Sequence, residues 1–431
     1  MRHFSTQQTS LRDIVDAVIA PARAVDAAAE ESVRRIVAQV RERGNEAVVA
    51  WSRERDWPEA DASSLRVRVA EIEAATESLA PQDNDALVEA VRRVRAFHEW
   101  QLPSDALQPD GEGARLGWRY TPIESVGINA PAAAAPLPSS LIMAAAPAQV
   151  AGVERIAVVT APGRDGSVNQ GILAAAAILG ISEVYRVGGP WAIAALAYGT
   201  DAIPRVDKIV GAGNVYVNLA KAMVAGVVGV DAFYGPSEVV ILADESADPW
   251  LIAADLAAQA EHQVDSVAAL VTPSARLVGQ IAAALDKTLG ELDRAAIARR
   301  CLETHGAVIH VRDLAEGVQA VNLLAPEHLE LAVAEPEEVM SEIRNAGCIL
   351  LGAGTPTAVS DYLAGPSHIL PTGRSARFSS GLGVMDFLKR SSVVSVSPDW
   401  LRRHGASVER LADLEGLQGH GRSVRIRMPK E

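Results

Sequence analysis

Apolar and polar positions divide this chain into three regimes. Residues 10–100 hold long stretches such as EESVRRIVAQVRERGNEAVVAW, which predict helices. Residues 101–118, QLPSDALQPDGEGARLGW, are rich in Pro, Gly and Asp and predict a connector. Short apolar runs follow. ERIAVVTAP predicts a buried strand ending in a turn, and NQGILAAAAILG a helix stopped by glycine. EVYRVGG, KIVGAGN, EVVILAD, VAALVT, AVIHV and CILLG continue the strands. AIAALAYG is a helix, and PWLIAADLAAQAEH is another, opened by proline. Such alternation implies parallel sheets with crossover helices, one near 120–235 and one near 236–355. Residues 385–431 are again mostly helical and polar, and no sequence repeat signals an internal duplication.

Composition narrows the classes. A chain of 431 residues is long enough for two or three domains. Apolar residues make up 49% and charged residues 22%, as in an ordinary soluble globular protein. The formal net charge of −14 argues against nucleic acid as a partner. No apolar run reaches the roughly 18 residues of a membrane span. The start, MRHFSTQQTS, lacks the apolar core of a signal peptide. Cys301 and Cys348 are too few for a disulfide framework and are expected as buried thiols in a reducing cytoplasm.

In open parallel sheets, ligands bind beyond the carboxyl ends of strands, so the loops after strands matter most. GAGN, residues 211–214, follows KIV and could cradle a phosphate, but no GxGxxG follows any strand. Histidines supply the other candidates. In DLAAQAEHQVDS, Gln259 and His262 are three apart and share a helix face, as ligands or as a polar face in water. In LLAPEHLEL, Glu327 and His328 are an adjacent acid and base, and Pro326 before them suits a helix start. Asp361 and His368 lie in SDYLAGPSHILPT, and His420 in EGLQGHGRS. Two histidines, a carboxylate and an amide oxygen could fill a zinc shell, although spacing alone does not bring them together.

DLAAQAEH, NLLAPEHLEL, DYLAGPSHILPT, ARFSSGLGVMDFLKRSSV and EGLQGH occur in this order, with GPSEVVILAD and DKIVGAGNVYV. Together, from about residue 25 to 428, they resemble the histidinol dehydrogenase family. The resemblance implies NAD-linked oxidation of L-histidinol to L-histidine through L-histidinal, with one zinc ion per subunit, in a homodimer with shared active sites. Gln259, His262, Asp361 and His420 match the zinc ligands, and Glu327 and His328 the catalytic pair. Ser237, His368 and Glu415 match substrate contacts, joined by Gln259, His262, His328, Asp361 and His420. The implied fold is α/β: two incomplete Rossmann-like domains with parallel sheets, plus small helical segments at both ends. One domain joins residues 25–100 to 238–380, and the other spans 120–236 on the cofactor side. Residues 1–24 and 101–119 are an arm and a connector, and 385–431 a helical tail reaching the partner chain.

Departures from the family pattern cluster on the cofactor side. In GINAPAAAAPLPSS, Asn129 stands for a tyrosine, and Ala132 and Ala133 for two glycines. Trp191, in GGPWAIAALAYGT, takes the place of a cofactor-contacting glutamine. GPGN is here GAGN, with Asn214 kept. Asn129, Trp191 and Asn214 are thus the cofactor-binding candidates. Near the metal, Ser360 and Ser367 replace the usual glycine and asparagine. Alternatives to histidinol are another alcohol, an amino alcohol or sulfonated diol, oxidised on the same scaffold, or a non-catalytic zinc-containing relative.

Overall fold

The computed structural model describes residues 1–19, 27–132 and 136–428. A six-stranded parallel sheet is built from β1 (Arg2–Ser5), β9 (Glu238–Ala243), β10 (Val267–Thr272), β11 (Ala307–His310), β12 (His328–Ala332) and β13 (Cys348–Leu351). A five-stranded parallel sheet holds β4 (Ser125–Asn129), β5 (Arg155–Val159), β6 (Val184–Tyr185), β7 (Lys208–Val210) and β8 (Gly229–Val230). A small antiparallel sheet joins β2 (Ala106–Pro109), β3 (Ala114–Pro122) and β14 (Leu388–Val396).

The parallel sheets run β1-β11-β10-β9-β12-β13 and β6-β5-β4-β7-β8. Apart from β1, both have one winding. The first strand, β9 or β4, is central, the next two add on one side, and the last two on the other. This is the strand order of the dinucleotide-binding fold short of its last strand, with its reversal beside the first strand. The structure therefore repeats itself where the sequence does not. Winding follows from burial and crossover handedness, and neither requires matching residues.

The helices are α1 (Leu11–Ile19), α2 (Ala27–Arg43), α3 (Asn45–Arg55), α4 (Val69–Ser78), α5 (Pro81–Glu99), α6 (Pro138–Ala151), α7 (Gln170–Ile178), α8 (Gly189–Tyr198), α9 (Val215–Val224), α10 (Pro249–Ala260), α11 (Ala275–Leu289), α12 (Ala295–Thr304), α13 (Leu314–Leu324), α14 (Pro336–Met340), α15 (Thr357–Tyr362), α16 (Pro398–Leu414) and α17 (Gln418–Arg425). Alternate residues of each strand feed opposite faces. Val126, Ile128 and Val158 pack with α4–α7, while Ala157, Val159 and Ile209 pack with α2, α3, α8 and α9. Val239, Ile241 and Leu270 meet α10–α12, while Val240, Leu329 and Leu331 meet α1 and α13.

This packing corrects the domain assignment. Residues 25–100 were expected with 238–380, yet α2–α5 cover the five-stranded sheet, whose apolar faces take up Val33, Val48, Ile72 and Val94. The arm expected at 1–24 supplies β1, paired with β11, and α1, packed on α13. The connector expected at 101–119 contains β2 and much of β3, and the tail opens with β14 before turning helical. No helix of the described residues is long and apolar enough to cross a membrane.

Candidate functional site

Strands of the six-stranded sheet begin where the candidate chemistry lies. Helix α13 ends at Ala325 in the left-handed conformation, φ 47°. The chain turns through Pro326 and Glu327 directly into β12 at His328. Pro326 thus precedes a strand, contrary to the expected helix start, because the left-handed residue redirects the backbone. Glu327 and His328 are 6% and 3% exposed. Glu327 Oε2 accepts from the Ser237 hydroxyl and the Glu238 N–H, each at 2.8 Å. The His328 ring stands between two carboxylates, with Nδ1 3.6 Å from Glu327 and Nε2 3.4 Å from Asp361. Neither ring nitrogen has a hydrogen bond of ordinary geometry. Burial alone would lower the imidazole pKa, but the Glu327 and Asp361 carboxylates override it and hold it well above its ordinary value.

Helices returning across a parallel sheet end beside strand amino ends, which is how α10 and α15 reach this edge. Asp248 caps α10 by accepting from the Trp250 N–H. At its far end Gln259 is 3% exposed, and its Nε2 has no partner. His262 follows one turn later, exposed, its N–H bonded to the Gln259 carbonyl at 3.3 Å. Asp361 closes α15. Burial would raise its carboxyl, but His328, with His368 and His262 adding, holds it below the ordinary range. His368 faces the Asp361 carbonyl through Nδ1 at 2.8 Å and the Ser140 hydroxyl through Nε2 at 3.0 Å. Both nitrogens are therefore engaged by protein, with Nδ1 donating and Nε2 accepting. Ser140 belongs to the first turn of α6, after β4. The amino edge of one sheet thus meets a loop from the carboxyl edge of the other. The strand rule holds for the second sheet only.

One chain brings together Ser237, Glu327, His328, His262, Asp361 and His368, with Gln259 one turn from His262. It does not add Glu415 and His420. Both are exposed, at the end of α16 and on α17. These helices pack on each other, and α16 also meets the β2–β3 turn, where His404 reaches Glu112 at 2.7 Å. Among the described residues no three His, Cys, Asp or Glu side chains are arranged to hold a metal. Cys301 is buried and Cys348 only half-buried.

On the cofactor side, Asn129 ends β4 at the point of strand reversal. Its side-chain amide donates to the Ala212 carbonyl at 2.7 Å. A Cβ on Gly211, φ 108°, would lie 2.4 Å from the Asn129 carbonyl, so glycine alone permits this approach. Asn214 caps α9, accepting from the N–H groups of Tyr216 and Val217 at 3.1 Å. Trp191 is 6% exposed and stacks on Trp51, ring centroids 6.3 Å apart. Ala132 is half-buried against the core, and Ala133 lies outside the described residues.

Sequence reasoning missed a buried cluster beneath the GAGN loop. Lys221, fully buried, pairs with Asp231 and donates to the Gly211 carbonyl at 3.0 Å. Asp231 accepts from the Gly211 N–H at 2.7 Å and the Tyr234 hydroxyl at 2.8 Å. Asn218 binds the Gly213 carbonyl at 3.0 Å and both backbone groups of Tyr234. The loop is thereby tied to the segment leading to Ser237. A signal existed: Lys221 lies seven residues after Asn214, on the same helix face.

Comparison with known proteins gives a consistent result. The family model described as Histidinol dehydrogenase matches residues 21–428. A histidinol dehydrogenase of Halalkalibacterium halodurans is 46% identical over 402 residues, covering 93% of this chain and 94% of the relative. One from Cereibacter sphaeroides is 48% identical over 395 residues, covering 92% and 91%. The crystal structure of histidinol dehydrogenase from Elizabethkingia anophelis superposes with a TM-score of 0.93 at 31% identity, covering 99% of this chain and 98% of that one.

Proposed function

The chain belongs to the histidinol dehydrogenase family, a family of oxidoreductases, and from that premise we propose that it oxidises L-histidinol to L-histidine through L-histidinal. The observation that carries this reading is the buried row of Glu327, His328 and Asp361, with the partnerless amide of Gln259 close by. Water and two nicotinamide dinucleotides are consumed, and two hydrides and three protons leave the alcohol and water.

The donor set suits zinc: an amide oxygen from Gln259, an imidazole from His262 and a carboxylate from Asp361. His420 of the partner subunit would complete it. A bound zinc ion would serve as a template for the substrate's amine and imidazole. His328, in its neutral form, takes the hydroxyl proton; a cation held by Asp361 would offset that carboxylate and lower the ring from the raised value the two carboxylates give it, while Glu327 stabilises the imidazolium that results. Glu327 takes the proton of the water that adds to the aldehyde. Both its hydrogen bonds fall on Oε2, which fixes the plane of the carboxylate. Ser237 acts through Glu327, and His368 braces Asp361.

A homodimer would bring Glu415 and His420 to the partner's site. Leu411, Leu414 and Ile426 of the tail are 61%, 71% and 71% exposed, the apolar surface a partner would cover. Two unpaired thiols suit a cytoplasmic enzyme. Mixing His328→Asn and His420→Asn chains tests the whole reading. Random reassociation makes about half the dimers mixed, each with one intact site of two, so about a quarter of wild-type NADH production returns with L-histidinol. A mixture as inactive as its parents, with mixed dimers shown to form, places His420 within its own chain. Turnover only with other alcohols identifies the paralogue instead.

A further inference from the structure

The three elements that carry Gln259, His328 and Asp361 meet a second time behind them. Asp255 lies four residues before Gln259 on α10, and Thr357 four before Asp361 on α15, each one helical turn from its partner. Glu330 lies two after His328 on β12, on the same strand face. Glu330 is 5% exposed, and its Oε1 accepts from both the N–H and the hydroxyl of Thr357, at 3.0 and 2.7 Å. Asp255 and Glu330 line the same small corner between α10 and β12, and each carboxyl acts on the other.

Two carboxylates cannot share a buried contact without a proton between them. Burial, then the charge of Asp255, pushes Glu330 up to about 7, and burial pushes Asp255 up to about 6. Among the described residues that line this corner, none is basic. The flanking strands present Ile241 and Leu350 in register with Glu330. Asp248, the one other charged residue lining this corner among those described, is engaged by the Trp250 N–H. His328 and Asp361 are the next titratable groups along β12 and α15.

We propose that Asp255, Glu330 and Thr357 are positioning residues: one shared proton clamps α10, β12 and α15 together and so holds Gln259, His328 and Asp361 in mutual register. The inference rests on the zinc-site reading for its functional consequence, though not for the clamp itself. The shared proton lets one carboxyl donate to the other. When it leaves to solvent as pH rises, two buried negative charges face each other and α15 loosens from α10.

The test uses zinc-loaded dimeric protein, with Glu330→Gln and Glu330→Leu. Glutamine keeps the acceptor for Thr357 and supplies a permanent donor to Asp255; leucine supplies neither. Zinc affinity is read by competition with a chelator from pH 6 to 9, with kcat and KM for L-histidinol in parallel. Wild type weakens about tenfold above pH 7, Glu330→Gln stays flat, and Glu330→Leu is about 10–100-fold weaker throughout. The direction is diagnostic, because protonation of the ligands themselves weakens zinc in acid. An infrared carbonyl band of a protonated carboxyl, stronger at pH 6 in wild type than in Glu330→Gln, reports the clamp without metal. A wild type that binds no zinc but shows the band and faster amide exchange at 357–362 in Glu330→Leu keeps the clamp and overturns the zinc reading. Zinc bound equally by wild type and Glu330→Leu, or lost equally by Glu330→Gln and Glu330→Leu, overturns the clamp. If Glu330→Leu does not fold, Thr357→Val replaces it, and an unchanged affinity in that variant overturns the clamp as well.

Discussion

The two parallel sheets share one winding and present opposite edges to the candidate site. At the amino edge of the six-stranded sheet, Gln259 Nε2 and both His328 nitrogens are buried without an ordinary hydrogen-bond partner. At the carboxyl edge of the five-stranded sheet, Asn129 is satisfied by the Ala212 carbonyl and Asn214 by the first turn of α9. A buried polar group left unpaired costs about 1–3 kcal/mol, so a fold keeps several in one corner only for a reason. The first edge is built to receive something. The second is closed mostly by its own side chains, among them Asn129, where this chain departs from the family pattern, although the Trp191 indole N–H and the Thr160 hydroxyl there also lack an ordinary partner.

The largest expected effect falls on the receptive edge. His328→Asn slows histidinol oxidation by about 10²–10⁴-fold, the usual worth of a general base. Glu327→Gln impairs oxidation of supplied L-histidinal more than that of the alcohol. Single-turnover measurement of each half-reaction checks this division, and equal losses in both halves for both variants would contradict it. Next comes the buried pair on the closed edge. Lys221→Met leaves Asp231 charged and without its cation in the interior, destabilising the protein by about 3–5 kcal/mol. Denaturant midpoints read this loss. Zinc content at saturating metal stays unchanged if the two edges are separate in function.

Trp191→Gln is expected to cost about 3 kcal/mol, in the range for truncating a buried aromatic. It exchanges a stacked, 6% exposed ring for a smaller amide that loses the packing against Trp51. The KM for NAD should not improve. An improvement would show that position 191 still reaches the cofactor, and the contrast between edges would fail there.

Much of this was legible in the chain. Strand–helix alternation gave both parallel sheets, and neighbouring Glu327 and His328 stood out as acid and base. The common winding was hidden, because burial constrains hydrophobicity and leaves residue identity free. The placement of α2–α5 was hidden too, since an apolar helix face fits any apolar sheet. Pro326 misled because proline suits the start of a helix and the entry to a strand alike, and only the left-handed Ala325 decides between them. Glu330 and Asp255 are 75 residues apart in a chain rich in acids, and nothing short of the fold brings them together. Glu415 and His420 are expected at a site on resemblance alone, since nothing within one chain draws them to it.

The smallest expected effect concerns Asp56, under the closed edge. Its carboxyl lies near the Gly188 N–H, at 3.3 Å, and near the Trp191 indole. Burial pushes it up to about 6, against the opposing pull of Gly188, Trp191 and Arg164. A carboxyl with a raised folded-state pKa favours the fold most below its ordinary pKa near 4, and that advantage is lost as pH climbs through about 6. At pH 7 the wild type therefore carries an ionised group in a site that disfavours it. An asparagine side chain in its place would not titrate and could still accept the Gly188 N–H. Asp56→Asn should thus raise the melting temperature at pH 7 by about 1–3 °C relative to wild type, with the gap closing toward pH 4. Melting curves at several pH values give the sign directly. A gap independent of pH would mean that Asp56 is solvated as an ordinary carboxylate. A changed KM for NAD at constant stability would instead make Asp56 part of a working cofactor surface, and the closed edge would have to be redrawn as a second receptive one.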